Sequence, residues 1–229
     1  MRVVVLRTYL LMKSASEARP SYPDIPGLEM RPAGPSDAAA YRETFQEIGR
    51  EVLWVDRWNW NVEEFAELLG RSSVRAWLAW LDGVPAGLVE LVIKDDGSVQ
   101  LTYMGARPRF QGRGLGKYLI SYLIDRAWDL KPNRVWGYTH TLDSKYALTN
   151  EVKRGLGIWK RRPTVVDVPD SLAPKVRELL ASARARGVAP GFLRRLEAHL
   201  RQSLAGTFAR NLVHKLKQAA GAGGRPSRD

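Results

Sequence analysis

Cysteine is absent from the 229 residues, which excludes disulfides, thiolate metal sites and a cysteine nucleophile. Histidine is scarce. His140, His199 and His214 are the three in the chain, and their positions do not form metal-ligand spacing, so no bound metal is expected. No apolar run reaches the length of a membrane-spanning helix. The opening M-R-V-V-V-L-R-T-Y-L-L-M is apolar, but Arg7 interrupts it and no small-residue cleavage site follows, so it reads as a strand rather than a signal peptide. A cytoplasmic protein without membrane contact is the expectation.

Acidic residues are outnumbered, with 24 Asp and Glu against 36 Lys and Arg and a net charge of +12. From residue 165 onward there are twelve basic and five acidic residues, so the last quarter holds seven of the twelve excess charges. Such a balance permits nucleic-acid or acidic-partner binding, but a solvated charged face is the first reading of it.

Along the chain, residues 2–12 read as a strand, followed by a Pro-rich link over 19–27 and a second short strand over 28–32. Ser36-Asp37 opens a helix running to about Ile48. A segment with three tryptophans follows, V-L-W-V-D-R-W-N-W, and then Asn61 with Glu64 three later begins a helix over 62–69 as a capping box. Residues 73–81 and 86–93 are strands joined by the hairpin signal Asp82-Gly83. Asp95-Asp96-Gly97 is a second turn, leading into a strand over 99–106. A helix over 115–130, a strand over 134–141, a short helix over 144–154 closed by Gly155, and a strand over 159–168 complete this part. The pattern predicts an α/β (α+β) fold with a mixed, mainly antiparallel sheet flanked by helices.

The remainder is helical in pattern. Residues 171–186 and 190–220 form a predicted helical hairpin around Gly187-Val188-Ala189, with an apolar stripe of Leu193, Leu196, Leu200, Leu204, Phe208, Leu212 and Leu216 in the second helix. That stripe predicts docking on the core or on a twin subunit as a homodimer, with a nucleic-acid arm as the alternative. The expected organisation is a domain over 1–168, a basic helical extension over 169–220, and a disordered tail over 221–229.

The most informative segment is Q-G-R-G-L-G, residues 111–116, between a strand and a helix. A glycine-rich turn there presents backbone N–H groups at a helix N-terminus, where the dipole favours a phosphate. It fits neither the dinucleotide fingerprint G-x-G-x-x-G with its later acid nor the P-loop, because Tyr118 follows Lys117. The spacing Gln111-x-x-Gly114-x-Gly116, preceded by Pro108 and Phe110, resembles the pyrophosphate loop of the GNAT superfamily, the acyl-CoA-dependent N-acyltransferases. T-H-T-L-D-S-K-Y-A-L-T-N-E-V-K-R-G-L, residues 139–156, is similar to a stretch found in some bacterial members. The order of elements over residues 3–168 matches as well.

The resemblance implies acetyl-CoA as co-substrate and acetyl transfer to an amine, a small molecule or a peptide, by direct attack. The backbone of Gly112, Arg113, Gly114, Leu115, Gly116 and Lys117 would take the pyrophosphate, with Gln111 capping the loop and Asn150 beside it. Met104, Gly105 and Ala106 would line the pantetheine arm. The general acid stands four residues before the final helix glycine in many members, usually as tyrosine, and that position is Glu151 here. Tyr146, five residues earlier, lies on a different part of the helix face.

For the general base, Glu90 in the apolar strand A-G-L-V-E-L-V-I is the first candidate, since an acid there is costly unless it faces the cleft. Its alternative is the solvent side of the strand. His140 is the second candidate. Trp54, Asp56, Trp58 and Trp60 are the expected acceptor site, because aromatic faces with a carboxylate suit a cationic amine, although any of the tryptophans could instead fill the core. A CoA-binding module without catalysis, whose basic tail binds a protein or nucleic acid, is the alternative function.

Overall fold

A computed structural model describes residues 1–185, with side chains through residue 183. Seven strands form one sheet: β1 (Arg2–Met12), β2 (Glu29–Pro32), β3 (Val74–Leu81), β4 (Val84–Ile93), β5 (Val99–Ala106), β6 (Val135–His140) and β7 (Gly157–Asp167). Their order across the sheet is β2-β3-β4-β5-β6-β1-β7. Every neighbouring pair is antiparallel except β5 and β6, which run parallel. The helices are α1 (Ala38–Val52), α2 (Val62–Leu69), α3 (Leu115–Asp129), α4 (Ala147–Lys153) and α5 (Ala173–Ala185). Met1–Ala183 forms one compact unit.

Local chemistry explains most of these elements. Asp82 and Gly83 adopt φ of +52° and +76°, the left-handed pair that a tight β3–β4 hairpin requires. Asn61 Oδ1 accepts the N–H of Glu64 at 2.9 Å while Glu64 Oε2 accepts the N–H of Asn61 at 2.8 Å, so the capping box closes and α2 spans the expected residues. The first strand differs from a simple meander: it inserts between β6 and β7 and pairs with both along most of its length.

Three apolar clusters cover the sheet. Leu115, Leu119, Ile120, Leu123, Ile124 and Ala127 of α3 pack on one face against Leu10, Met12, Leu91 and Leu101. On the other face, Tyr41, Phe45 and Ile48 of α1 and Phe65, Leu68 and Leu69 of α2 pack on Leu78 and Leu88. Val168, Leu172 and Val176 join Val3, Val5, Leu53 and Leu142 in the third cluster, so the packed unit continues past residue 168 into α5. No helix among the described residues is long and apolar enough to cross a membrane.

The second predicted C-terminal helix with its leucine stripe, His199, His214, and the tail over 221–229 lie outside the described residues. The first predicted C-terminal helix corresponds to α5, whereas the rest of the residues proposed for a homodimer contact or a nucleic-acid arm lie outside as well.

Candidate active site

The parallel pairing of β5 and β6 lasts for three residue pairs, Val99 with Val135, Gln100 with Trp136 and Leu101 with Gly137. The register of β4 and β5 then shifts: Leu91 faces Leu101 but Glu90 faces Tyr103, which leaves Thr102 as an extra residue on β5. A bulge of this kind bends the strand and raises its twist. The Thr102 hydroxyl lies 3.0 Å from Glu90 O and 2.8 Å from Glu90 Oε1, which fixes the bend. Beyond it β5 stays with β4 as far as Ala106, while β6 stays with β1 as far as His140. The two strands separate, and among the described residues no strand pairs with the facing edge of β5 from Thr102 to Ala106. The result is a cleft of about 260 Å³, lined by Met104, Gly105 and Ala106 along one side and by Tyr138 and Thr139 along the other.

The glycine loop closes one end of this cleft. Gln111 Nε2 donates to Ala106 O at 3.1 Å and ties the loop to β5. Gly112 and Gly114 have φ of +81° and +86°, a region that favours glycine because it has no Cβ. Leu115 buries its side chain in the core and starts α3; its N-cap Gly114 brings no side-chain cap, and Gly114 O accepts the N–H groups of Lys117 and Tyr118 at 2.9 and 3.2 Å. Asn150 Nδ2 donates to Gly116 O at 2.9 Å and so clamps α4 beside the start of α3. Gln111, Gly112, Gly116 and Asn150 all line the cleft. Arg113 and Lys117 are exposed next to it.

Glu151 reaches the cleft from α4. Its stem is half-buried, but Oε2 is fully enclosed and has no hydrogen-bond partner. Burial, and after it the charge of Asp143, pushes the carboxyl from 4.5 up to about 8. Glu151 therefore holds a proton at neutral pH, as a carboxyl does when desolvation disfavours its charged form. Asp143 is itself fixed by the Thr139 hydroxyl at 2.6 Å and the His140 N–H at 2.8 Å. Tyr146 also lines the cleft, but its side chain is exposed.

The two candidate bases are placed differently from the sequence-based expectation. Glu90 is fully buried and does not line the cleft. It accepts hydrogen bonds from Arg57 Nη1 and Nη2 at 2.6 and 2.8 Å, from the Tyr41 hydroxyl at 2.8 Å and from Thr102 at 2.8 Å. With its oxygens occupied in this way, Glu90 serves as the anchor of an ion pair. Burial, and then the Glu90 charge, holds the Tyr41 phenol well above its ordinary value. His140 Nδ1 accepts the N–H of Leu142 at 3.3 Å, and Nε2 lies 3.7 Å from Asp143 Oδ1; its imidazole is not among the cleft-lining groups.

The tryptophan segment divides between site and core. Trp54 lines the cleft and packs on Tyr103 and Phe45, with ring centroids 4.9 and 5.3 Å away. It can do so because residue 105 is glycine: a Cβ there would come within 2.6 Å of Ile48 Cγ2 and 3.0 Å of Trp54 Cη2. The exposed Asp56 accepts the Tyr103 hydroxyl at 2.8 Å. Trp60 packs on Phe65, and Trp58 joins the third apolar cluster, so neither lines the cleft. Arg57 spans the segment, 4.6 Å from the Tyr103 ring and 5.3 Å from that of Trp60. Tyr103, Tyr138 and Asp143 belong to the site although pattern reasoning missed them. Tyr103 carried one available signal, an amphipathic aromatic in the strand just before the glycine loop.

Comparison with known proteins agrees with this geometry. The profile of the Acetyltransferase (GNAT) family matches residues 39–147, which include the tryptophan segment, the bulged strand and the glycine loop. No curated protein matches the chain. Among solved structures, a functionally unknown conserved protein from Staphylococcus epidermidis superposes with a TM-score of 0.56 at 12% identity, covering 73% of this chain and 64% of that one. A GCN5-related N-acetyltransferase from Sphaerobacter thermophilus gives 0.55 at 18% identity, over 71% of this chain and 50% of that one. A GCN5-related N-acetyltransferase from Kribbella flavida gives 0.52 at 16%, over 73% and 60%. The chain thus spans about half to two thirds of the length of these structures. At such identities the likeness establishes the fold, a GNAT-type mixed sheet flanked by helices.

Proposed function

We propose that this chain is a member of the GNAT superfamily that transfers an acetyl group from acetyl-CoA to an amine. The observation that carries the reading is the convergence, on one cleft, of an unpaired β5 edge, a glycine loop at a helix N-terminus and a buried protonated carboxyl, Glu151. The residues present fit the co-substrate. The loop offers backbone N–H groups at the positive end of α3, with Arg113 and Lys117 alongside for phosphate charge. The free edge of β5 from Thr102 to Ala106 offers backbone groups to the amides of a pantetheine arm, as an added strand would.

When bound, acetyl-CoA supplies a thioester whose carbonyl carbon the amine attacks, forming C–N as C–S breaks. Glu151 is the group placed to hand a proton to the departing sulfur, acting as general acid from its neutral form. Asp56, exposed and bonded to the cleft-lining Tyr103, attracts the acceptor's ammonium group, and the solvent it faces can take the proton. Glu90 holds Arg57, and through it the Trp54–Trp60 segment that walls the acceptor side. Trp54 supplies an aromatic face for a cationic amine.

Release of free thiol from acetyl-CoA in the presence of an amine panel tests the reading. Amine-dependent release, reduced in Glu151→Gln, is expected. CoA binding with no release for any amine would leave a CoA-binding module instead.

A further inference from the structure

Strands β6, β1 and β7 lie side by side, and on one face they align two rows of cross-strand neighbours. One row is His140, Arg7 and Arg162, and the other is Tyr138, Tyr9 and Lys160. Directly opposed residues share a face, and like charges placed so repel each other. His140 has Asp143 beside it. Neither Arg7 nor Arg162 forms an ion pair with any carboxylate among the described residues. Arg7 Nε is, moreover, fully buried without a hydrogen-bond partner, and a buried donor left unsatisfied calls for an explanation.

The position of Arg7 supplies one. Its guanidinium carbon lies 4.4 Å above the ring of Tyr138, and Tyr138 lines the cleft. Asp56 in turn accepts the hydroxyl of Tyr103 at 2.8 Å, and Tyr103 lines the same cleft, so the cation and the carboxylate each contact an aromatic residue of the cleft wall. With Nε enclosed against the protein, the two terminal Nη groups are the edge that a ligand can reach, and that edge matches a carboxylate in two-pronged geometry. The rings on this surface do not serve as platforms for stacked bases. Arg7 covers Tyr138, while Lys160 sits 4.8 Å from the Tyr9 ring and 3.8 Å from the Trp159 ring.

We infer that Arg7, flanked by Arg162, binds a carboxylate on the acceptor, and that the acceptor is an amino acid or another amine bearing a carboxylate, with its ammonium group toward Asp56. This rests on the transferase reading of the cleft. Arg7 is a specificity residue: it selects the acceptor and takes no part in the proton transfers.

The test compares thiol release from acetyl-CoA with amino acids and with the amines of the same side chains lacking the carboxylate, such as phenylalanine and phenethylamine, in the wild type, Arg7→Gln, Arg7→Lys and Arg162→Gln. Melting temperatures confirm that each variant folds, and the exposed Arg162→Gln serves should Arg7→Gln fail to. The wild type should prefer the carboxylate-bearing partner. Arg7→Gln should raise KM for amino acids about 10- to 100-fold, the loss of a charge-assisted contact, with kcat and the use of plain amines little changed. Arg7→Lys should recover part of the loss. Equal or better use of plain amines by the wild type would overturn the inference while leaving the transferase reading intact. Should no amine support release, calorimetric titration with N-acetylglycine decides. Saturable binding that is lost in Arg7→Gln upholds the carboxylate site, and no binding overturns it.

Discussion

Arg57 grips Glu90 through both guanidinium nitrogens, at 2.6 and 2.8 Å, and so ties the tryptophan segment, whose Trp54 lines the cleft, to the buried middle of β4. The carboxylate is fully buried, and the arginine side chain is 11% exposed. Removing one member of a buried pair leaves the other charge uncompensated, at about 3–5 kcal/mol. Glu90→Gln also weakens the acceptor that Tyr41 and Thr102 share. Urea denaturation of Glu90→Gln should show a loss in that range. A loss below about 1 kcal/mol, the size of an exposed pair, would show that Glu90 does not anchor the segment.

Glu151 links stability to pH, and on the proposed mechanism the reaction rate as well. Its carboxyl titrates at about 8 in the fold against 4.5 ordinarily, so between these values the native protein keeps a proton that the unfolded chain has released. The stabilisation is complete below pH 4.5 and is lost as pH rises through about 8, with a slope of up to about 1.4 kcal/mol per pH unit from this group. Glu151→Gln removes that slope. Denaturation of both proteins at pH 5, 6.5 and 8 should show the variant gaining on the wild type as pH rises, and a constant difference would contradict the shifted carboxyl. In the transfer reaction, the wild-type rate should fall above about pH 8, and Glu151→Gln should lose about 100-fold or more in kcat.

Much of this architecture is legible in local sequence. Asp82-Gly83 and Asn61 with Glu64 specify a turn and a cap within a few residues, and both form as read. The glycine loop is legible for the same reason, since its conformation is set by residues that tolerate positive φ. Non-local relationships are not legible in this way. The insertion of β1 between β6 and β7 depends on strands more than a hundred residues apart, and nothing in the alternation of residues 2–12 names its partners. The bulge at Thr102 is one extra residue with no periodic signature, yet it opens the cleft. Glu90 illustrates the consequence. An acid in an apolar strand must find a partner, and the strand pattern predicts the cleft, whereas the partner is Arg57 in the tryptophan segment. Glu151 is placed by counting from Gly155, but the burial that keeps it protonated comes from packing between α4 and the cleft wall.

The most direct test of the central claim is a calorimetric titration of acetyl-CoA into the wild type and Gly116→Asp. Gly116 lines the cleft in the first turn of α3, and a Cβ there meets Asn150 Nδ2 at an ordinary 3.8 Å. An acid in a helix's first turn suits the dipole, so the variant should fold normally. Its carboxylate would nevertheless stand at the site proposed for the pyrophosphate. The account predicts saturable binding to the wild type and loss of about 100-fold or more in the variant, from charge repulsion and lost contacts together, with unchanged melting temperature in the absence of ligand. Equal affinity in the two proteins, or no binding to the wild type, would contradict it.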